Sequence, residues 1–201
     1  MTRRVALVLL DPRTPSQPPP GVRASAWRAA LAEDVAELAA GLAGVDSGVV
    51  ATEAETPWAA ELAWPGSVLT VAEVTASAAF GAAAGHDEVA LLAADAPDLP
   101  ALHVGKLFRA LGSHPVAVVP APDGGAVAVA ARLPLPAWAV AAEPGMEPDA
   151  VTRLRAAAPH RGAVASAPGW HRLRVPADVH LLDPGLEGWE ATRALLSVSS
   201  G

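Results

Sequence analysis

The chain has 201 residues, of which 52% are hydrophobic and 17% charged, so it is long enough for one sizeable core and too apolar to be disordered. A formal charge of −7 argues against a nucleic-acid surface built on basic residues, and the absence of cysteine removes disulfides and thiolate metal sites. No apolar run approaches the ~20 residues of a membrane span, and Val5–Leu10 meets Asp11-Pro12 with no small-residue cleavage site directly after it, so it reads as a first strand, not a leader. The expected setting is the cytoplasm.

In chain order, Arg4–Leu10 is predicted as strand and Asp11–Gly21 as a loop too rich in proline for helix or central strand. Ala24–Ala43 has helical spacing, with Trp27, Ala30, Leu31, Val35, Leu38 and Leu42 near one face. Gly44–Ala51 holds a second strand, with a turn at Asp46-Ser47-Gly48. Trp58–Trp64 is ambiguous between helix and strand; its two tryptophans suit core packing, a cover over a site, or a homodimer patch. Val68–Ala84 is predicted as a helix closed by Gly85.

Glu88–Ala94 reads as the buried central strand, ending abruptly in Asp95-Ala96-Pro97-Asp98-Leu99-Pro100, with a helix over Ala101–Leu111. Carboxylates at the end of such a strand lie at the usual ligand edge of an open α/β sheet, where aspartate oxygens can hold Mg²⁺ or Mn²⁺. The plainer reading is that Asp95 or Asp98 caps the following helix. Val116–Pro120 and Ala126–Arg132 form strands around a Pro122-Asp123-Gly124-Gly125 turn, Glu147–Ala157 a helix, Gly169–Val175 a late strand and Glu187–Ser197 a terminal helix. This β-α alternation predicts one α/β domain over residues 1–201, three layers deep, with a mostly parallel sheet. There is no Walker motif, no Gly-x-Gly-x-x-Gly after the first strand and no Gly-x-Ser-x-Gly elbow. His86, His103, His114 and His160 read as surface residues, and His171 and His180 lack zinc spacing.

Four segments carry a resemblance. Val118–Gly125 resembles the "GPAxDGGY" segment of a bacterial family of GT-A-type glycosyltransferase-like proteins. Leu92–Leu99 resembles the family's "GxDxPDL" segment, Trp170 with Pro176-Ala177-Asp178-Val179 its closing "DVDTPEDL" motif, and Pro20-Gly21-Val22-Arg23 its "PGxVKTRL" loop. Guanylyltransferases of coenzyme F420 synthesis and of molybdenum cofactor maturation are more distantly similar. The resemblance implies a nucleotide-diphospho-sugar transferase fold in which a nucleotide lies over the C-terminal strand ends and a divalent metal bridges its phosphates. It further implies transfer of a glycosyl or nucleotidyl group from a nucleotide or nucleotide sugar to a small-molecule acceptor. By that resemblance Asp95 is the expected metal ligand and, with Asp123, a catalytic group. Arg23, Asp98, Gly124, Gly125, Arg172 and Arg174 are the expected nucleotide contacts.

The departures are as informative. Arg172-Leu173-Arg174-Val175 stand where the family has Asp-Val-Asp-Thr, so an acidic segment has become cationic. Guanidiniums repel Mg²⁺ or Mn²⁺ and cannot shed a proton to ligate it, so metal binding is expected to be weak. Arg172 and Arg174 alternate on one predicted strand and share a face, as a phosphate clamp or as solvated edge charges. Arg23-Ala24-Ser25-Ala26 keeps one cation of the Lys-Thr-Arg-Leu loop, and Ala126 replaces an aromatic residue. A relative without turnover, binding a nucleotide or a partner, is the alternative function.

Overall fold

A computed structural model describes residues 2–13 and 16–198. Seven strands, β1 (Arg4–Leu9), β2 (Asp46–Thr52), β3 (Ser67–Val71), β4 (Glu88–Ala93), β5 (Val116–Pro120), β6 (Ala126–Arg132) and β7 (Val164–Ser166), form one sheet in the order β3-β2-β1-β4-β6-β5-β7. All neighbours are parallel except β6, which runs antiparallel to both β4 and β5. Among the described residues seven α-helices flank it: α1 (Ala24–Ala40), α2 (Thr56–Ala63), α3 (Ala76–Ala82), α4 (Ala101–Ala110), α5 (Ala137–Ala141), α6 (Ala150–Ala157) and α7 (Glu190–Val198).

The two central strands are β1 and β4, paired in parallel from Arg4↔Glu88 to Leu9↔Ala93. Their side chains alternate between two apolar layers, as the two-residue period of a strand requires. Ala6 and Val8 of β1, with Ala90 and Leu92 of β4, face the layer shared with α1, α2 and α4. Val5, Leu7, Val89 and Leu91 face the opposite layer, which holds Phe80 of α3, Ala139 of α5 and Leu154 of α6. Burial on both faces explains why these strands read as unbroken apolar runs. A third cluster packs Trp27 and Leu31 of α1 against Leu173, Leu182 and Trp189, so the C-terminal segment is clamped onto the first helix.

Several sequence expectations need correction. The predicted helix over 68–84 is two elements: β3 adds to β2 in parallel, and α3 starts only after Thr75, whose hydroxyl accepts from the Ala78 N–H. The run Ser-Val-Leu-Thr-Val is β-branched and half-exposed, which suits an edge strand better than a helix. Asp46-Ser47-Gly48 is no turn but the start of β2; Gly48 is needed because a Cβ there would lie 2.6 Å from the Ser67 carbonyl oxygen across the ladder. The ambiguous Trp58–Trp64 stretch is mostly helix α2, leaving Trp64 beyond its end and 83% exposed. Helix α6 begins at Ala150, after a left-handed Asp149, and not at Glu147. Gly169–Val175 is extended but pairs with no strand, while the short β7 and α5 had no recognisable sequence signal.

Candidate functional site

The segment 169–175 runs across the C-terminal ends of the strands instead of alongside them. Backbone hydrogen bonds pin it successively to β5 (Trp170 N–H to Pro120 O, 3.0 Å), to the end of β4 (Leu173 N–H to Asp95 O, 2.8 Å) and to the loop after β1 (Gln17 N–H to Arg174 O, 2.9 Å). The Ser16 hydroxyl donates to Leu173 O at 2.7 Å and accepts from the Trp27 indole. Asp178 holds the far end by accepting from the backbone N–H groups of Arg174 and Val175. In this crossing the arginines lie over the C-terminal ends of the strands, and the edge-strand reading is overturned.

Arg172 and Asp95 form a buried ion pair, Nε to Oδ1 at 2.6 Å, with side chains only 5% and 3% exposed. Arg172 Nη1 also donates to Met146 O at 2.7 Å. Arg174 donates through Nη1 to Asp123 and through Nη2 to the same Met146 carbonyl at 3.0 Å. This second pair is partly exposed, 22% and 37%. The Met146 carbonyl thus joins two pairs, one from the end of β4 and one from the β5–β6 turn. Beside them opens a cleft of about 360 Å³ lined by Asp11, Arg13, Met146, Glu147, Pro148, Arg172 and Arg174.

Arg13 was missed in the sequence, hidden in the Pro-rich loop. Its guanidinium pairs with Asp11 (Nε to Oδ1, 3.0 Å) and Glu73 and donates to Val74 O, and these carboxylates raise its pKa further. A cation two residues beyond Asp11, just after the first strand, was the available signal. Arg28, on α1, was missed as well; it pairs with Glu55 at 2.5 Å and lies over the Trp58 ring.

The remaining expected site residues separate. Asp98 does not face the cleft: its carboxylate is fully buried, accepts from the Trp170 indole N–H at 3.1 Å and the Asp183 N–H at 3.2 Å, and lies 3.0 Å from His171 Nε2. Neither Asp95 nor Asp98 caps α4, whose N-cap is Pro100 without a side-chain bond. Arg23 is exposed at the start of α1 and does not line the cleft. Gly124, at φ +81°, and Gly125 admit the chain's own backbone: a Cβ on Gly125 would stand 2.6 Å from Glu147 O and 2.7 Å from Met146 O. Asp123 closes the turn by accepting from the Gly125 N–H at 3.0 Å. The glycines therefore seat the 146–149 segment whose carbonyl orients both arginines. His103 is not a surface residue; it is buried on the apolar side of α4, its ring 5.2 Å from that of Trp170, and burial lowers its pKa.

A divalent ion on Asp95 does not fit this donor set. One carboxylate oxygen is already held by a buried guanidinium, and two unit charges 4 Å apart interact by about 4 kcal/mol at an effective dielectric near 20, a repulsion doubled for a divalent ion. Among the described residues no three His, Asp or Glu side chains are grouped to hold a metal.

Comparison with known proteins agrees with this architecture. Residues 43–142 match the model of a family described as "Uncharacterized protein conserved in bacteria (DUF2064)". Over that span, just under half of its length, the chain resembles the family. None of the curated proteins matches. Among solved structures, a protein assigned as a nucleotide-diphospho-sugar transferase from Desulfovibrio desulfuricans G20 is similar over 100% of this chain and 98% of its own, at TM-score 0.64 and 18% identity. CMP:2-keto-3-deoxy-manno-octonic acid synthetase complexed with CTP is similar over 98% and 99%, at 0.57 and 15%. Rv0371C of Mycobacterium tuberculosis H37Rv, in complex with manganese, is similar over 98% of both chains, at 0.58 and 17%. The chain therefore has the nucleotide-diphospho-sugar transferase fold that its motifs resemble.

Proposed function

We propose that this protein binds the phosphates of a nucleotide or nucleotide sugar in the cleft between Arg13, Arg172 and Arg174, with guanidiniums doing what a divalent ion does in metal-dependent relatives. The observation that carries the reading is the convergence of three arginines from two distant parts of the chain, Arg13 after β1 and Arg172 and Arg174 on the crossing segment, on one cleft beside the C-terminal ends of β1 and β4. That is the edge where open α/β sheets take ligands. A similar fold has been solved with CTP, which supports a nucleotide as the ligand class. Arginine suits the task because its planar fork meets two phosphate oxygens at once and keeps its charge at any working pH.

The reaction class this supports is transfer of a glycosyl or nucleotidyl group to a small acceptor, with the arginines stabilising negative charge on the departing phosphate. No covalent intermediate on the protein is needed; orientation and fixed charge carry the step. One observation favours the second reading, a binding protein without turnover: Asp95 and Asp123 are both already engaged by arginines.

The test is calorimetry with a panel of nucleoside diphosphates, triphosphates and nucleotide sugars, in EDTA and in Mn²⁺. Binding in EDTA, weakened at least tenfold by Arg174→Ala, is the expected result; binding seen only with Mn²⁺, or none at all, overturns the reading. Phosphorus NMR of the tightest nucleotide sugar or triphosphate with acceptor alcohols then separates the two forms, since only a transferase releases nucleoside phosphate or pyrophosphate.

A further inference from the structure

At the opposite pole of the sheet, where β1 and β4 begin, lies a second cavity of about 470 Å³, larger than the arginine cleft. Arg3 stands just before β1, His86 and Asp87 just before β4, and Leu133 just after the antiparallel β6, so these loops meet at one end. The cavity opens between α3 and the 133–140 segment. Its helix side consists of Ser77, Phe80, Gly81 and Ala84, and three of these four are small. Opposite them stand Leu133, Leu135 and Val140, the last 49% exposed although apolar. Gly81 is exposed on this face and a Cβ on it would meet nothing within 4 Å, so a larger side chain has room there. A concave, mostly apolar groove of this size is the ordinary shape of a small-molecule site.

The charge at its rim selects among ligands. The Asp87 carboxylate accepts the Arg3 backbone N–H at 2.7 Å, and His86 is turned towards Asp46, with Nε2 3.4 Å from its carboxylate. The Arg3 guanidinium, by contrast, has no hydrogen-bond or ion-pair partner among the described residues. An apolar groove whose rim carries the unpaired Arg3 guanidinium, with the Asp87 carboxylate held back on the Arg3 backbone N–H, matches a molecule with an apolar body and one anionic end.

From these features we infer that the cavity is a second ligand site, separate from the arginine cleft, for a small apolar carboxylate such as a short aliphatic or aromatic acid. The body lies along Phe80, Leu133 and Val140, and the carboxylate meets Arg3. This site does not depend on the nucleotide reading, since it shares no lining residue with the cleft.

The test uses the full chain and ligand-observed NMR with three probes sharing one six-carbon body: hexanoate, hexanol and hexylamine. Hexanoate is expected to bind at least tenfold more tightly than the other two. Gly81→Leu puts a side chain into the open space while improving helix propensity, so it should abolish binding and leave the fold intact by circular dichroism. Arg3→Met should erase the preference for hexanoate over hexanol, and Arg174→Ala should leave hexanoate binding unchanged. The inference is overturned if no probe binds, if hexanol or hexylamine binds as well as hexanoate, or if Gly81→Leu binds hexanoate like the wild type.

Discussion

Arg172 and Arg174 are two residues apart, carry the same side chain and donate to the same carbonyl, yet their ion pairs belong to different regimes. Arg172–Asp95 is enclosed between the end of β4 and the crossing segment. Arg174–Asp123 stands at the lip of the cleft, where water reaches both partners. A buried pair is nearly obligatory once made, because removing either partner strands a charge away from solvent. A half-exposed pair has little net worth and exchanges readily for another anion. The inner pair therefore fixes Arg172 in the cleft wall, and in the proposed function Arg174 is the guanidinium freer to exchange its partner for a phosphate.

The largest effect should follow from breaking the inner pair. Arg172→Ala leaves Asp95 charged and buried and is expected to cost about 3–5 kcal/mol. Urea unfolding should show it as a lower midpoint at unchanged slope. Replacing both partners, Arg172→Met with Asp95→Leu, should restore stability to within about 1 kcal/mol of wild type. If the double variant is as unstable as the single one, the comparison fails at its root.

Asp34 sharpens it from a different side, as a buried carboxylate with no cation. It sits on α1 and accepts from the backbone N–H groups of Ala191 and Thr192 at 2.9 Å each, capping α7 from outside its own helix. Asp34→Ala should cost about 1–2 kcal/mol, the usual worth of an N-cap, and loosen the C-terminal clamp on Trp27. Burial, more than its neighbour Glu37, raises the Asp34 pKa against those hydrogen bonds. Its linkage contribution is accordingly full below the unfolded carboxylate value and is lost as pH rises through the folded one. Asp34→Asn, which keeps an acceptor without the charge, should be milder than Asp34→Ala and flatten that dependence in unfolding measured from acid to neutral pH.

His103 adds an acid-side dependence of the opposite sign. Burial, helped by Lys106, lowers its pKa, so the unfolded chain takes up a proton that the folded chain refuses. Stability should be constant above the usual histidine value near 6.5 and fall as pH drops from there towards the folded value. Fluorescence-detected unfolding of wild type and His103→Phe should show the loss in the former and a shallower slope in the latter; equal slopes would remove His103 as the cause.

The smallest stability effect belongs to the outer pair. Arg174→Ala should change unfolding by less than about 1 kcal/mol, as partly exposed pairs do. Its consequence should appear in ligand affinity instead. A loss above 2 kcal/mol would mean that Arg174 is as structural as Arg172.

Much of the fold was legible because local pattern and tertiary role coincide there. Val5–Leu9 and Val89–Ala93 are apolar at every position, which only a doubly covered strand tolerates, and they pair as expected. The Asp123-Gly124-Gly125 turn announced its hairpin equally well. The failures share a cause. Ser67–Val71 and Ala76–Ala82 form one apolar stretch whose division depends on β2 offering a free edge at Gly48, a fact outside the stretch itself. His103 is buried because Trp170, 67 positions away, is folded back over α4.

For the site, the sequence by itself determined the chemistry on hand: aspartates at strand ends, and arginines where the resembling family is acidic. It could not determine which charges meet. That was decided by the crossing of 169–175 over the strand ends, fixed by hydrogen bonds to Pro120, Asp95 and Gln17 from three distant parts of the chain. The crossing pairs Arg172 with Asp95 across 77 positions and Arg174 with Asp123 across 51. Composition and periodicity are local, whereas a charge's burial, partner and availability to a ligand are set by what the folded chain lays over it.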